Sequence, residues 1–142
     1  MIFDPLNAEE IARNWDWLGP MLKPAIDPDP GNTVEDVYAS LVNGPDLLTL
    51  ASGGGNVAIV FEITPDAICW LKYMAGNVMG GPKARIKTIR EGLSHIEQKA
   101  ADAGCYEMRI CGRDWSVLLS DYEPMPDWPN GLRKVLRMKE AA

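Results

Sequence analysis

The sequence predicts an α/β fold, in which a single domain over residues 1–142 is built on a mixed, mostly antiparallel twisted sheet with helices on both faces. The length fits one domain of ordinary size. Three β-rich segments follow one another with only short turns between them, which is typical of an antiparallel meander. A glycine-rich turn, a long amphipathic segment and another β-rich segment come next, which is typical of a βαβ unit.

The βαβ unit is the clearest pattern in the chain. Ala67–Met74 is a short apolar run with aromatic and β-branched residues, which favours a strand. The turn Gly76–Gly81 follows it, and Pro82 suits the first position of a helix. The predicted helix, Lys83–Ala103, leads to a strand with alternating polarity at Tyr106–Cys111. One apolar stripe runs along this helix at helical spacing, at Ile86, Ile89, Leu93, Ile96 and Ala100.

The remaining strands of the meander lie before this unit. They are predicted at Leu47–Ala51 and at the strongly β-branched Val57–Thr64, joined by the glycine-rich turn Ser52–Asn56. A short first strand is also predicted at Ile2 and Phe3. Because the helix after the meander must cross over the sheet, the strand that follows it should be parallel to its neighbour.

Two helices are predicted near the N-terminus. The first begins after Asn7, a suitable N-cap, and Gly19-Pro20 should break or kink it. Pro24–Gly31, which contains three prolines and two aspartates, is predicted to be a loop. The second helix begins after Thr33 and ends at Gly44.

The C-terminal part is predicted less directly. Asp114–Asp121 suggests a short helix, and the proline-rich Glu123–Gly131 should be irregular. Leu132–Lys139 fits a strand or a helix. We favour a strand at the edge of the sheet, since mixed sheets often end in an antiparallel strand.

Composition and charge exclude several classes of protein. The net charge of −6 argues against a general nucleic-acid binder. No apolar run approaches the roughly 20 residues that span a membrane, and Asp4 and Glu9 stand where an export signal would be positive. The three cysteines form no CxxC pair, which argues against a metal site and fits a reducing compartment. We therefore expect a cytoplasmic protein that binds no metal, with the single histidine, His95, on a solvated surface.

The order of elements resembles the GNAT superfamily of acyl-CoA-dependent N-acyltransferases. A more specific likeness is to small acetyltransferase-like proteins of tailed bacteriophages, which implies synthesis in an infected host cell. The residues that carry this likeness are Trp15, Glu35-Asp36-Val37, Gly44, Gly104-Cys105, Gly112-Arg113 and Trp115.

The resemblance implies that acetyl-CoA or another acyl-CoA is a co-substrate. In the superfamily the turn before the long helix binds the coenzyme's pyrophosphate through backbone N–H groups and the helix N-terminus. The residues placed there in this chain are Met79, Gly80, Gly81, Lys83, Ala84 and Arg85. The Gly80-Gly81-Pro82 turn fits such a phosphate cradle, and it equally fits a plain connection between strand and helix.

Two residues are candidates for acid–base catalysis. Glu62 lies in the middle of an apolar strand, where it either faces water on one side of the sheet or, if partly buried, could act as general base on an amine. The resemblance implies a general acid after the fifth strand. Its register gives Ser120, and the nearest tyrosine is Tyr122. The thioester is expected between the splayed fourth and fifth strands.

A second hypothesis keeps the fold but not the catalysis. The chain would then be an inactive virion component or interaction module. Trp128 lies between prolines and is the candidate anchor for a protein partner. Trp15, Trp70 and Trp115 are instead expected in the core, with one of them lining a cleft.

Overall fold

The structure, a computed structural model, describes residues 1–111, 115 and 119–137. Within them one sheet contains the strands β1 (Ile2–Leu6), β2 (Asp46–Ser52), β3 (Gly55–Ile63), β4 (Ile68–Val78), β5 (Glu107–Ile110), β6 (Glu123–Pro124) and β7 (Leu132–Val135). The helices are α1 (Ala8–Arg13), α2 (Trp15–Ile26), α3 (Val34–Asn43) and α4 (Gly81–Asp102).

The sheet is mixed, as predicted. Its spatial order is β1-β2-β3-β4-β5-β7-β6, and β4 and β5 form the parallel pair. Their pairing covers Ile68–Leu71 on one side and Glu107–Ile110 on the other. β4 then continues to Val78, whereas β5 ends at Ile110. The sheet therefore opens between these two strands beyond Leu71.

Helices pack on both faces, which confirms the predicted architecture. α4 covers one face, where Leu93 and Ile96 lie in an apolar cluster with Phe61, Met108 and Ile110. The other face is covered by α1, α2 and α3, whose apolar residues meet the sheet in a second cluster. That cluster contains Ile11, Leu18, Leu22, Ile26, Val37, Leu41, Leu48, Ala58, Val60 and Tyr73.

The break in the N-terminal helices is not where the sequence placed it. It falls at Asn14, between α1 and α2, and Gly19-Pro20 lies inside α2. The side-chain amide of Asn14 donates to the carbonyl oxygen of Glu10 at 2.8 Å, so it competes with helix continuation there. Pro20 is exposed, and its missing N–H removes a bond that would lie on the solvent face. The predicted loop also begins later, because α2 extends through Ile26.

β4 extends to Val78, beyond the predicted end at Met74, because the strand continues through Gly76. A Cβ on Gly76 would collide with the carbonyl oxygen of Asn56 in the neighbouring strand. Glycine here lets the two strands approach closely, so the ladder continues to Val78. The turn before α4 is correspondingly short.

At the C-terminus, β7 is a strand, as favoured from the sequence. It was wrongly expected at the sheet edge: β7 lies between β5 and β6, and the edge is the two-residue β6. β6 occupies part of the segment that was predicted to be irregular. Half of the predicted helix Asp114–Asp121, the Gly112-Arg113 motif and the end of Leu132–Lys139 lie outside the described residues.

His95 is not the solvated residue that was expected. It is half-buried, and its ring stacks on Phe3 of β1 with centroids 4.0 Å apart and planes within 5°. Burial, followed by the positive charge of Lys99, lowers the pKa of His95. The polar side of α4 is therefore partly covered by the N-terminal strand.

Candidate functional site

A cavity of about 760 Å³ opens where β4 and β5 stop pairing. One wall is β4 beyond this point, from Leu71 to Met74, and Cys111 follows β5 on the other side. The loop between α2 and α3 closes a third side with Asp29 and its neighbours. The rest of the lining includes Glu62, Thr64, Trp70, Trp115 and Trp128.

A β-bulge places Lys72 inside this cavity. Val60 pairs with Tyr73 and Phe61 with Leu71, so Lys72 is an extra residue on β4. Its ammonium lies 2.7 Å from Asp46 Oδ1 and 2.9 Å from Glu62 Oε1. Burial alone would lower the pKa of Lys72, but the hydrogen bonds to the two carboxylates outweigh it and raise that pKa.

Glu62 therefore lies in the cavity wall beside a cation. Its side chain retains 22% of its exposure, while that of Asp46 retains 2%. Asp46 is almost sealed from solvent by its pairing with Lys72, whereas Glu62 faces the cavity. Of the two carboxylates, Glu62 is the one that a bound molecule can reach.

Asp29, in the loop between α2 and α3, is held by uncharged donors. The hydroxyl of Tyr73 donates to Asp29 Oδ2 at 2.6 Å, and the amide of Gly31 donates to Oδ1 at 2.9 Å. Asn32 donates to the same Tyr73 hydroxyl at 3.0 Å. Burial and then the bond to Asp29 raise the pKa of Tyr73 to about 12. The loop is thus fastened to β4 through a tyrosine that stays neutral at physiological pH.

Two tryptophans form the apolar side of the cavity. Trp70 and Trp128 meet edge to face, with centroids 5.5 Å apart. The guanidinium of Arg109 lies 5.4 Å from the Trp70 ring and forms an ion pair with Glu107 at 2.8 Å. Trp70 therefore lines the cavity rather than filling the core. Trp128 is 49% exposed, as predicted for it.

The glycine turn before α4 lies further along β4. Gly80 and Gly81 both have left-handed backbones, at φ +100° and +82°. A Cβ at Gly81 would meet nothing within 4 Å, and Gly80 provides no side-chain cap for the helix. Lys83 and Arg85 are exposed beside it, and the first turn holds no acidic residue. The residues present fit an anion, although Pro82 contributes no N–H donor.

The other predicted coenzyme residues belong to the same turn. Met79 is 77% exposed, and Ala84 lies in the first turn of α4, where its methyl group would be 3.0 Å from a Cβ on Gly80. These residues do not line the cavity described above. They are connected to it through β4, which runs from the cavity wall at Lys72 to Val78.

Tyr122 is on the other side of the sheet, in the apolar cluster under α4. Its hydroxyl donates to Glu97 Oε1 at 2.8 Å, and Lys134 binds the second oxygen of Glu97 at 3.0 Å. Burial, followed by the bond to Glu97, raises the pKa of Tyr122 strongly. The structure does not bring Tyr122 into the cavity with Glu62.

The sequence analysis missed Lys72, Asp46, Asp29 and Tyr73. One signal was available: Lys72 is the only charged residue in the apolar run Ala67–Met74. Its partners could not be inferred, because they come from β2 and β3. Among the described residues no group of acidic, histidine or cysteine side chains could hold a metal. No helix in the same part of the chain is long and apolar enough to cross a membrane.

No protein-family model and no curated protein sequence matches the chain. Several solved structures match it. An aminoglycoside 6'-acetyltransferase type Ii matches with a TM-score of 0.70 at 12% identity over 99% of this chain and 100% of that one. The aminoglycoside 6'-N-acetyltransferase from Enterococcus faecium gives 0.57 at 12% identity over 99% and 100% of the two chains. Tetrahymena GCN5 gives 0.57 at 11% identity over 96% and 97%. At these identities the likeness concerns the fold, and the chain has the fold of the GNAT acetyltransferases.

Proposed function

We propose that this protein transfers an acyl group from acyl-CoA to an amine held in the cavity between β4 and β5. The observation that carries the proposal is the cavity itself. It opens at the end of the β4–β5 pairing, holds the accessible carboxylate Glu62 and occurs in a fold shared with acetyltransferases.

Glu62 is the proposed general base. An ammonium ion has no free electron pair, so the acceptor nitrogen must lose a proton before it can form the new C–N bond. Glu62 takes this proton from its place in the cavity wall, and Lys72 fixes the carboxylate at 2.9 Å. Acetyl-CoA would supply the activated acyl group; its C–S bond would break as the C–N bond forms, and the coenzyme A thiolate would leave and take up a proton from solvent. The role of Tyr122 as general acid stays a prediction. In the structure its hydroxyl donates a hydrogen bond to Glu97.

The turn before α4 is the proposed site for the coenzyme's pyrophosphate. Three features support this: the open space beside Gly81, the absence of a side-chain cap at Gly80 and the cations Lys83 and Arg85. Met79 and Ala84 would flank the phosphates.

The binding half of this proposal is tested at Gly81. Gly81→Asn and Gly81→Asp have the same shape, and both residue types tolerate a left-handed backbone better than others. Only aspartate adds a negative charge, which should weaken acetyl-CoA binding by about tenfold or more relative to asparagine. Calorimetry measures the binding, and melting curves show that both variants are folded. Equal binding by the two variants, or no heat from wild type with millimolar acetyl-CoA, would remove the coenzyme site.

The catalytic half is tested at Glu62. Glu62→Gln should lower the rate of acetyl transfer to an amine by about 10²–10⁴-fold while acetyl-CoA binding is kept. Glu35→Gln on the exposed face of α3 is the matched control and should leave the rate unchanged. A Glu62→Gln protein that transfers at the wild-type rate would contradict the assignment.

The second candidate function is an inactive interaction module, such as a virion component of a phage. The exposure of Trp128 is the observation that favours it. A variant that keeps only this tryptophan should show a fluorescence blue shift with the partner, here a virion extract of the source phage. A partner-independent spectrum in that extract, together with measured acetyl transfer, would decide against this candidate.

A further inference from the structure

Among the residues that the structure describes, the cavity carries an excess of negative charge. Of the charged residues that line it, Asp29 and Glu62 are negative and Lys72 is positive, and Lys72 also neutralises the buried Asp46. Three carboxylates therefore meet one ammonium. Within the described residues, the polar contacts of Asp29 are to the Tyr73 hydroxyl and the Gly31 amide, neither of which is charged. No cation pairs with Asp29 among the described residues, so its negative charge is available to a cationic ligand.

The charge of Asp29 reaches another residue of the cavity lining. Cys111 follows the end of β5 and lines the same cavity. Burial and then the negative charge of Asp29 raise the pKa of Cys111. Because Tyr73 and Gly31 fix both carboxylate oxygens, Asp29 is oriented before any ligand arrives, which lowers the entropic cost of binding a cation.

Apolar side chains line the same cavity as the two carboxylates. Leu71 and Met74 of β4 line the cavity together with Trp70 and Trp128, and Trp70 is the cross-strand neighbour of Glu62. A methylene chain can pack along such a wall, and tryptophan faces also attract ammonium groups. A ligand with two positive groups joined by an apolar chain therefore matches the side chains that line this cavity.

On the basis of the proposed function, we infer that the acceptor is an aliphatic diamine or polyamine, with its reacting nitrogen at Glu62 and a second ammonium paired with Asp29. An anionic acceptor would be repelled by the excess of carboxylates. A neutral or singly charged amine would leave Asp29 partly desolvated and unpaired, which costs binding free energy.

The test measures amine binding without acyl-CoA, so that it does not depend on catalysis. Putrescine, cadaverine and spermidine are compared with n-butylamine and n-pentylamine by calorimetry and tryptophan fluorescence. Wild-type protein should bind the diamines about tenfold more tightly than the monoamines of equal length. Asp29→Asn keeps the size and an acceptor oxygen but removes the charge, so it should abolish this difference.

Asp27→Asn is the matched control. Asp27 belongs to the same loop, is exposed and forms an ion pair with Lys23 at 2.9 Å. It does not line the cavity, so its variant should keep the wild-type preference for diamines. Equal affinity of wild type for diamines and monoamines, or equal losses in the Asp27 and Asp29 variants, would overturn the inference.

The outcome also separates this inference from the proposed function. Diamine binding that depends on Asp29, in a protein that neither binds acetyl-CoA nor transfers acetyl groups, supports the amine site and removes the acyltransferase. Acetyl transfer to monoamines, with no preference for diamines, would contradict the second cation site and would still support the acyltransferase proposal.

Discussion

The two faces of the sheet are covered in different ways. Under α4 the apolar cluster is continuous from Ala51 on β2 to Leu132 on β7. On the opposite face, the apolar cluster under α1, α2 and α3 reaches β4 at Tyr73 and includes no residue of β5 or β7. On β5 and β7, which this cluster does not reach, the charged residues Glu107, Arg109 and Arg133 lie in ion pairs.

Because of this difference, one face of the sheet mainly stabilises the fold and the other provides an accessible cavity. The α4 face buries a continuous apolar cluster, and that burial stabilises the fold. The cavity lies where the cover of the other face ends, so its polar groups are half-buried and still accessible. Substitutions on the α4 face should therefore change stability, and substitutions at the cavity should change binding.

The largest effect is expected on the α4 face. Leu93 is 4% exposed, and Leu93→Ala should lower the free energy of unfolding by about 2–5 kcal/mol, because it leaves a cavity in packed apolar surroundings. Urea denaturation measures this loss. Amine binding by the folded fraction should be unchanged. A near-neutral result would mean that this face is not the main source of stability.

An intermediate effect is expected where the α2–α3 loop meets β4. Tyr73→Phe removes the donor that holds Asp29 and should lower the free energy of unfolding by about 1.5–3 kcal/mol, as for other hydrogen bonds to charged groups. Unlike Leu93→Ala, it should also weaken diamine binding, since Asp29 loses its orientation. Unchanged diamine affinity would show that the loop is positioned without this bond.

The smallest effect is a dependence on pH at His95, on the α4 face. The folded pKa of His95 lies below its unfolded value, so between the two values the unfolded chain binds more protons. The stabilising contribution is present above the unfolded pKa of about 6.5 and is lost as the pH falls through the folded pKa. His95→Phe keeps the stack on Phe3 and should flatten the melting temperature between about pH 7.5 and 5. Parallel curves for the two proteins would contradict this origin.

Much of the fold followed from local sequence, because its determinants lie within a few residues. The capping boxes Asn7–Glu10 and Thr33–Asp36 form as their spacing indicated. The stripe that contains Leu93 packs on the sheet, since helical spacing alone puts those residues on one side. Gly19-Pro20 was predicted to break or kink the helix, but it does not end the helix: α2 continues through the exposed Pro20.

The candidate site was only partly predictable. Glu62 was singled out because a carboxylate in an apolar strand is unusual, and the structure places it in the cavity wall. Its surroundings depend on contacts that no local pattern encodes. Lys72 reaches Asp46 across 26 residues of sequence, and Tyr73 reaches Asp29 across 44. The register shift that brings Lys72 to that place is itself a property of two paired strands.

The sequence by itself determined the order of helices and strands, the mixed sheet and the two-sided packing, because hydrophobic periodicity, caps and glycine turns act over short distances. Tertiary structure alone decided that β5 stops pairing at Ile110 while β4 continues to Val78, and that the α2–α3 loop closes over the gap. It also decided which charges meet there. A single ammonium is divided between Asp46 and Glu62, and Asp29 is left to neutral donors, because strand register and loop position fix distances between residues that are far apart in the chain.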